Sequence, residues 1–429
     1  MSLKGINVLI DGYNLELKYG TGIKTYGITL IKALALLGAE VNVLFGSKND
    51  GNNPVPNESL LFNQNKLRRF TNLKSALKGI YRIFFKANAI QAKRKNTVII
   101  NNLDTDFLSS TGIFNLNECY KAAVIAYRIL GLTTKIVSPV KADVWHATYP
   151  LPIKIKNANK ITTIHDLIPL RLPHTTLDNK PFFYNIVKDS LKSSSAIIAV
   201  SEHTKKDIME FFDINPDKIH VTYQPAVLSP FSAEEKKREI NSVLKKWKLD
   251  FKRYMLFVGA IEPKKNVGRL IEAYLRIDAD MPLVIAGKRA WLWEGEIGRF
   301  ESLFNENLEG KVRFMEYVSE MELRHLYSGA YCFVFPSLYE GFGLPPLEAM
   351  NFGCPVIVSK AASLPEICGD AALYVENPYD VHEIKNKIET LLGSLQLASK
   401  LSALGLERAE YFSMENYLRR LQGVYKKVI

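Results

Sequence analysis

Short apolar runs alternate with amphipathic stretches along nearly the whole chain. INVLID (6–11), VNVLF (41–45), AIIAV (196–200) and IHVTY (219–223) occupy the first half. MLFV (255–258), LVIAG (283–287), VRFMEYV (312–318), YCFVF (331–335) and PVIV (355–358) occupy the second. Each run is too short for a buried helix and is bounded by turn residues, which predicts buried strands. Between them, Ile28 to Leu37 has a helical apolar period and stops at Gly38, Ser201 caps a helix EHTKKDIMEFF, and another helix starts at Val267. The tail from Ser413 to Ile429 places Tyr417, Leu421, Val424 and Tyr425 on one helical face. Strand–helix alternation over 429 residues suits two α/β domains. The linker is expected around 225–235, ahead of a charged helix.

The stretch from Tyr331 to Val358 carries the most chemistry. A strand ends at Pro336. Glu340-Gly341-Phe342-Gly343 follows, Pro345 and Pro346 open a helix, and Gly353 closes it before the next strand. The helix N-terminus is aimed at the crevice above the strand ends, where free N–H groups and the helix dipole favour phosphate. Glu340 and Glu348 bracket the loop. Carboxylates repel phosphate, so their partners are hydroxyl donors. A ligand with a polyol on each side of a pyrophosphate satisfies the pattern, which describes a nucleotide sugar.

The motif E-G-F-G-L-P-P-L-E, two glutamates with seven residues between them, resembles the signature of retaining glycosyltransferases of family 4 (group 1). The resemblance runs nearly end to end and thins over residues 50–140. It implies the GT-B fold, two Rossmann-like domains facing a central cleft. An N-terminal acceptor domain (1–230) would be completed by the last helix (413–429), and a donor domain would span 231–412. Glu340 would hold sugar hydroxyls and Glu348 the ribose, and the N–H groups of Phe342, Gly343 and Leu344 would meet the diphosphate. In ITTIHDLIPL (161–170), His165 follows a strand and matches the family histidine that contacts the donor sugar. In YMLFVGAIEPKKN (254–266), Gly259 leads a loop whose Lys265 matches the family lysine. The arginine many members carry after that glycine is Ala260 here, so Lys264 is expected to supply its charge. After the last N-terminal strand the family often has Asn-Gly, where this chain has Gln224-Pro225.

Other candidates are less specific. Gly20 and Gly22 form a lone G-x-G after the first strand. Gly22 is the better candidate for facing donor phosphates or acceptor, and a tight strand–helix turn is the alternative. His146, in DVWHA, fits either a cleft residue or a satisfied structural histidine. Asp104-Thr105-Asp106 has the D-x-D spacing of metal sites in a different glycosyltransferase fold, but its surroundings read as a turn. No metal and no cofactor are expected.

Charge adds a possible surface partner. Net charge is +12, and from Ser59 to Leu103 ten Lys and Arg occur with no Asp or Glu. Leu67, Phe70, Leu73, Leu77, Tyr81 and Phe84 recur there at steps of three and four. A basic amphipathic helix within 64–95 lying on an anionic membrane is the preferred reading. A core-facing helix with a solvated basic side is the second. No nucleic-acid module accompanies the patch, so no nucleic-acid partner is expected. No apolar run spans a bilayer, no signal-peptide pattern precedes the first strand, and Cys119, Cys332, Cys354 and Cys368 lack C-x-x-C spacing. A cytoplasmic protein, peripheral on the inner face of its membrane, is expected.

The reading as a whole is a metal-independent retaining hexosyltransferase. It would move a mannose-type sugar from a nucleotide donor such as GDP-mannose to a lipid-linked saccharide in polysaccharide or O-antigen assembly. Family likeness implies front-face attack with the leaving phosphate as base. A nucleotide-sugar 2-epimerase and a catalytically silent nucleotide-sugar-binding module are the alternatives.

Overall fold

This computed structural model describes residues 2–16, 22–47, 87–88, 90–91, 111–229, 231, 240, 243–304 and 310–429. The first half contains β1 (Asn7–Asp11), α1 (Gly22–Leu36), β2 (Glu40–Phe45), β3 (Ala87–Asn88), β4 (Ile90–Gln91), β5 (Gly112–Asn115), α2 (Cys119–Leu130), β6 (Thr134–Val137), β7 (Val144–Ala147), β8 (Ile153–Ile155), β9 (Asn159–Ile164), α3 (Ile168–Arg171), α4 (Lys180–Ser193), β10 (Ala196–Ala199), α5 (Glu202–Phe211) and β11 (Ile219–Val221). Its main sheet has the order β11-β10-β9-β7-β1-β2-β5-β4 and is parallel except for the β4–β5 pair. Parallel strands covered on both faces need apolar side chains on both, which is why these strands read as runs and not as alternations. A small parallel sheet, β3-β6-β8, lies beside it.

The second half contains β12 (Met255–Val258), α6 (Val267–Leu275), β13 (Leu283–Ala286), α7 (Trp293–Phe304), β14 (Val312–Met315), α8 (Glu320–Gly329), β15 (Cys332–Phe335), α9 (Leu344–Asn351), β16 (Val356–Ser359), α10 (Leu364–Cys368), β17 (Ala372–Val375), α11 (Val381–Leu392), α12 (Leu395–Tyr411) and α13 (Met414–Val428). Its sheet order, β14-β13-β12-β15-β16-β17, is a doubly wound order with all pairs parallel. Strand order reverses between β12 and β15, so the loops after these two strands diverge and leave a crevice at their carboxyl ends. Both informative loops of the second half emerge at this point. Two Rossmann-like domains are therefore present, as the resemblance implied.

Helix α13 packs on the first domain. Tyr417, Leu421, Val424, Tyr425 and Val428 share a core with Val8 and Ile10 of β1 and Tyr26 and Leu30 of α1. His146 turns out to be a structural residue here. It is fully buried, with Nδ1 2.7 Å from the Tyr425 hydroxyl and Nε2 2.8 Å from that of Thr163. Burial lowers its pKa to about 3, so the imidazole stays neutral.

Gly20, the Asp104-Thr105-Asp106 triplet and most of the basic segment lie outside the described residues. Within 64–95 only 87–88 and 90–91 are described, and they are strands. All four cysteines are free and buried. No helix among the described residues is long and apolar enough to cross a membrane. Tyr425→Ala empties a core site and removes the hydroxyl that satisfies His146. It should destabilise the protein by about 3–5 kcal/mol in urea unfolding; a loss below about 1 kcal/mol would contradict the anchoring role of α13.

Candidate active site

The loop after β15 is built by backbone constraints. Gly343 has φ +102°, a conformation that side-chain-bearing residues avoid, and caps α9, whose first turn holds Pro345 and Pro346. The N–H groups of Phe342, Gly343 and Leu344 lie at this start, ahead of the ladder of the helix. The Ser363 hydroxyl holds the loop from behind, 2.8 Å from the Phe342 carbonyl and 2.9 Å from that of Glu340. From the neighbouring loop, the Lys264 carbonyl accepts from Leu338 N–H at 2.7 Å.

Glu340 is 8% exposed and is the centre of the site. Its Oε1 accepts from Lys265 Nζ and from the Ser337 hydroxyl, each at 2.6 Å. Burial alone would raise its pKa, but Lys265 and Lys264 outweigh burial and hold the carboxyl below its ordinary value. Lys265 also lies over the Phe335 ring, 4.8 Å from its centroid. Lys264 Nζ lies 3.4 Å from Glu262. Burial works to lower its pKa too, and the carboxylates of Glu262, Glu340 and Asp166 overcome that and raise it. Glu340 and Lys265, picked out from two separate motifs of the sequence, are in direct contact.

Glu348 lies one turn into α9 and is equally buried. Its Oε2 accepts from the Tyr327 hydroxyl at 3.1 Å. Desolvation raises its pKa to about 8, so it is largely protonated at neutral pH.

The first domain supplies the opposite wall. His165 follows β9, and its Nε2 is 2.9 Å from the Thr148 carbonyl. A carbonyl only accepts, so Nε2 carries the proton and Nδ1 remains as an acceptor. Burial lowers the His165 pKa to about 4, and the Tyr26 ring packs edge-on at 4.8 Å. Next to it sits Gly341. A Cβ there would lie 1.9 Å from the His165 carbonyl oxygen, so only glycine lets the two domains meet this closely.

Gly259 ends β12, beside Gly287, whose Cβ would fall 1.9 Å from the Gly259 carbonyl oxygen. Gly22 begins α1 with open space where a Cβ would be. Thus Glu340, Lys264, Lys265 and the Phe342–Leu344 loop come together, with His165 across the cleft and Glu348 behind. Sequence reasoning missed Ser337, which lies in the Glu340 loop itself, and Ser363 and Tyr327, which reach the site from a separate loop and a separate helix and leave no spacing signal. Among the described residues no group of three or more His, Cys, Asp or Glu could hold a metal ion.

Two family descriptions match adjoining stretches, Glycosyltransferase Family 4 over residues 114–228 and Glycosyl transferases group 1 over residues 230–406. The chain is 35% identical over 292 residues to O-antigen chain mannosyltransferase B of Escherichia coli, a match covering 67% of this chain and 74% of that protein. The chain belongs to the group 1, family 4 glycosyltransferases. It is also 32% identical over 264 residues to the serotype-specific mannosyltransferase WbdA of Escherichia coli, covering 60% of this chain but only 32% of WbdA. In fold, this glycosyltransferase is similar to sucrose-phosphate synthase from Thermosynechococcus elongatus, with a TM-score of 0.69 at 18% identity over 98% of both chains. The GT-B architecture is thus the one observed.

The state of Glu348 has a measurable consequence. The folded protein keeps its proton up to about pH 8, whereas an unfolded chain releases it near the ordinary 4.5. Between these values the folded state binds more protons, so stability falls as pH rises through that window. Glu348→Gln removes the ionisation. From about pH 5 to about pH 8 it should lose less stability than the parent, by on the order of 1 kcal/mol or more. Identical pH dependence in urea titrations would contradict a neutral Glu348.

Proposed function

We propose that this glycosyltransferase transfers mannose, with retention of configuration and without a metal, from a GDP-mannose-type donor to a lipid-linked saccharide in polysaccharide or O-antigen assembly. The observation that carries the reading is the Lys265–Glu340 pair at the strand-order reversal of the second sheet, facing His165. The mannosyltransferase relatives support the choice of sugar and pathway.

The Lys265 ammonium and the Glu340 carboxylate lie 2.6 Å apart and neutralise each other. A diphosphate laid over the start of α9 competes for the ammonium and frees Glu340 to accept from sugar hydroxyls. Charge on the leaving phosphate grows along the reaction, so Lys265, Lys264 and the loop N–H groups bind the transition state more tightly than the ground state. His165, neutral and pinned through Nε2, offers Nδ1 to a sugar hydroxyl. Glu348, protonated or ionised, accepts from ribose hydroxyls. The leaving phosphate itself serves as base for the acceptor hydroxyl, which places attack and departure on the same face.

The test is incubation of the protein with GDP-, UDP- and dTDP-hexoses and a lipid-linked saccharide, with the product anomer read by NMR. Transfer from GDP-mannose as the α-anomer, undiminished by EDTA, is expected. Donor epimerised without acceptor would favour the epimerase reading. Loss of activity in EDTA with recovery in Mn²⁺ would make Asp104 and Asp106 candidate ligands.

The basic segment 64–95 is proposed to hold the protein on an anionic membrane, where a lipid-linked acceptor is within reach. Each cation near such a surface contributes about 1 kcal/mol, screened within roughly 8–10 Å. Co-sedimentation with phosphatidylglycerol but not phosphatidylcholine vesicles is expected. Glu at Arg68, Arg69, Lys74 and Lys78 should abolish it and leave donor binding intact. Equal binding to both vesicles, or to neither, would return the segment to a solvated helix face.

A further inference from the structure

The start of α5, in the first domain, makes more contacts to the donor loop than a helix cap requires. Ser201 caps α5 by accepting from Thr204 N–H at 3.0 Å, and its hydroxyl proton goes to the Gly341 carbonyl at 2.6 Å. Thr204 Oγ1 lies 3.1 Å from the same carbonyl and 3.3 Å from that of His165. One turn on, Asp207 accepts from the Tyr339 hydroxyl, while Arg171 holds its other oxygen at 2.8 Å through Nε and 2.6 Å through Nη2. In return, Glu366 of α10 accepts from the N–H groups of Glu202 (2.7 Å) and His203 (3.0 Å), so a carboxylate of the second domain caps a helix of the first.

The geometry of these contacts is selective. Tyr339 and Gly341 are the two neighbours of Glu340, and both are held by α5. Ser201 and Thr204 have no solvent exposure and Asp207 is 1% exposed, so separating the domains strips buried polar groups of their partners. Contacts that served adhesion alone would have no reason to converge on the residues flanking the motif glutamate.

We propose that Ser201, Thr204 and Asp207 are positioning residues for Glu340. They fix the peptide on each side of it, so that the donor loop takes its working shape only when the acceptor domain is docked. Closure of the cleft and alignment of Glu340 are then one event, and a donor bound to the second domain alone is not committed to react. This rests on the reading of the Glu340 loop as the donor site.

The test uses Thr204→Val and Tyr339→Phe, each of which removes one cross-domain hydroxyl and keeps shape, together with Thr204→Ser, which restores the hydroxyl. Nucleoside diphosphate affinity is measured by calorimetry, kcat and donor KM with acceptor present, and Tm separately. Positioning predicts that kcat falls about tenfold or more in Val and Phe, with donor KM and diphosphate affinity within about threefold and Thr204→Ser near the parent. Unchanged kcat in both variants overturns the proposal. So does a kcat that tracks Tm in all three, because that describes structural adhesion. If the parent protein binds no nucleoside diphosphate, the donor-site reading fails first and the proposal with it.

Discussion

A carboxylate with 8% exposure does not remain charged unless a cation is held against it, and Glu340 meets that condition through Lys265. Much of the site follows from this pair. Lys265 must stand at the end of β12 and Glu340 after β15, which requires those two strands to be neighbours. Strand neighbours whose connections diverge occur where the order of a doubly wound sheet reverses, so the pair and the crevice share one topological cause. Lys264 repeats the arrangement with Glu262, and Asp166 from the other domain adds to its field. The cations of the site are thus already paired with carboxylates and oriented by them.

The two glutamates of the motif then diverge in state although they share a loop and a degree of burial. Glu340 has two ammonium groups in range and stays ionised below its ordinary pKa. Glu348, desolvated beside the Tyr327 hydroxyl, keeps its proton to about 8. A seven-residue separation fixes which side of the loop each occupies. Environment fixes what each can do, as for any pair of carboxyls with different neighbours.

That division also marks what the sequence makes legible. Strand runs, the Gly-Phe-Gly turn, the proline start of α9 and the amphipathic tail are local patterns, and local patterns read directly. Much of the second domain was legible, because Glu340 and Lys265 lie in two contiguous loops, but their neighbours Ser337, Ser363 and Tyr327 were not. Contacts between distant segments were not legible. Ser201 reads as a helix cap, and it is one, but its second bond to Gly341 joins residues 140 positions apart. His146 could be read two ways until Tyr425, 279 positions away, supplied its partner. The charge state of Glu348 depends on its burial and on Tyr327, neither of which a motif displays.

The tail adds a constraint on how the domains can move. Because α13 belongs to the core of the first domain, the chain passes from that domain to the second after β11 and returns between α12 and α13. The two passages are joined: Ala226 N–H donates to the Phe412 carbonyl at 3.2 Å, and Tyr223 packs against Tyr411 and Phe412. Arg420 of α13 lies over the rings of Tyr223 (4.9 Å) and Tyr411 (4.7 Å), tying both crossings to the first domain. A single covalent tether permits swivelling in several directions, whereas two tethers bonded side by side favour rotation about the line through them. Rotation about one line returns the same surfaces to each other on every closure. This is the condition under which a glycine with no room for a Cβ, Gly341 against His165, can be a dependable contact instead of a steric hazard.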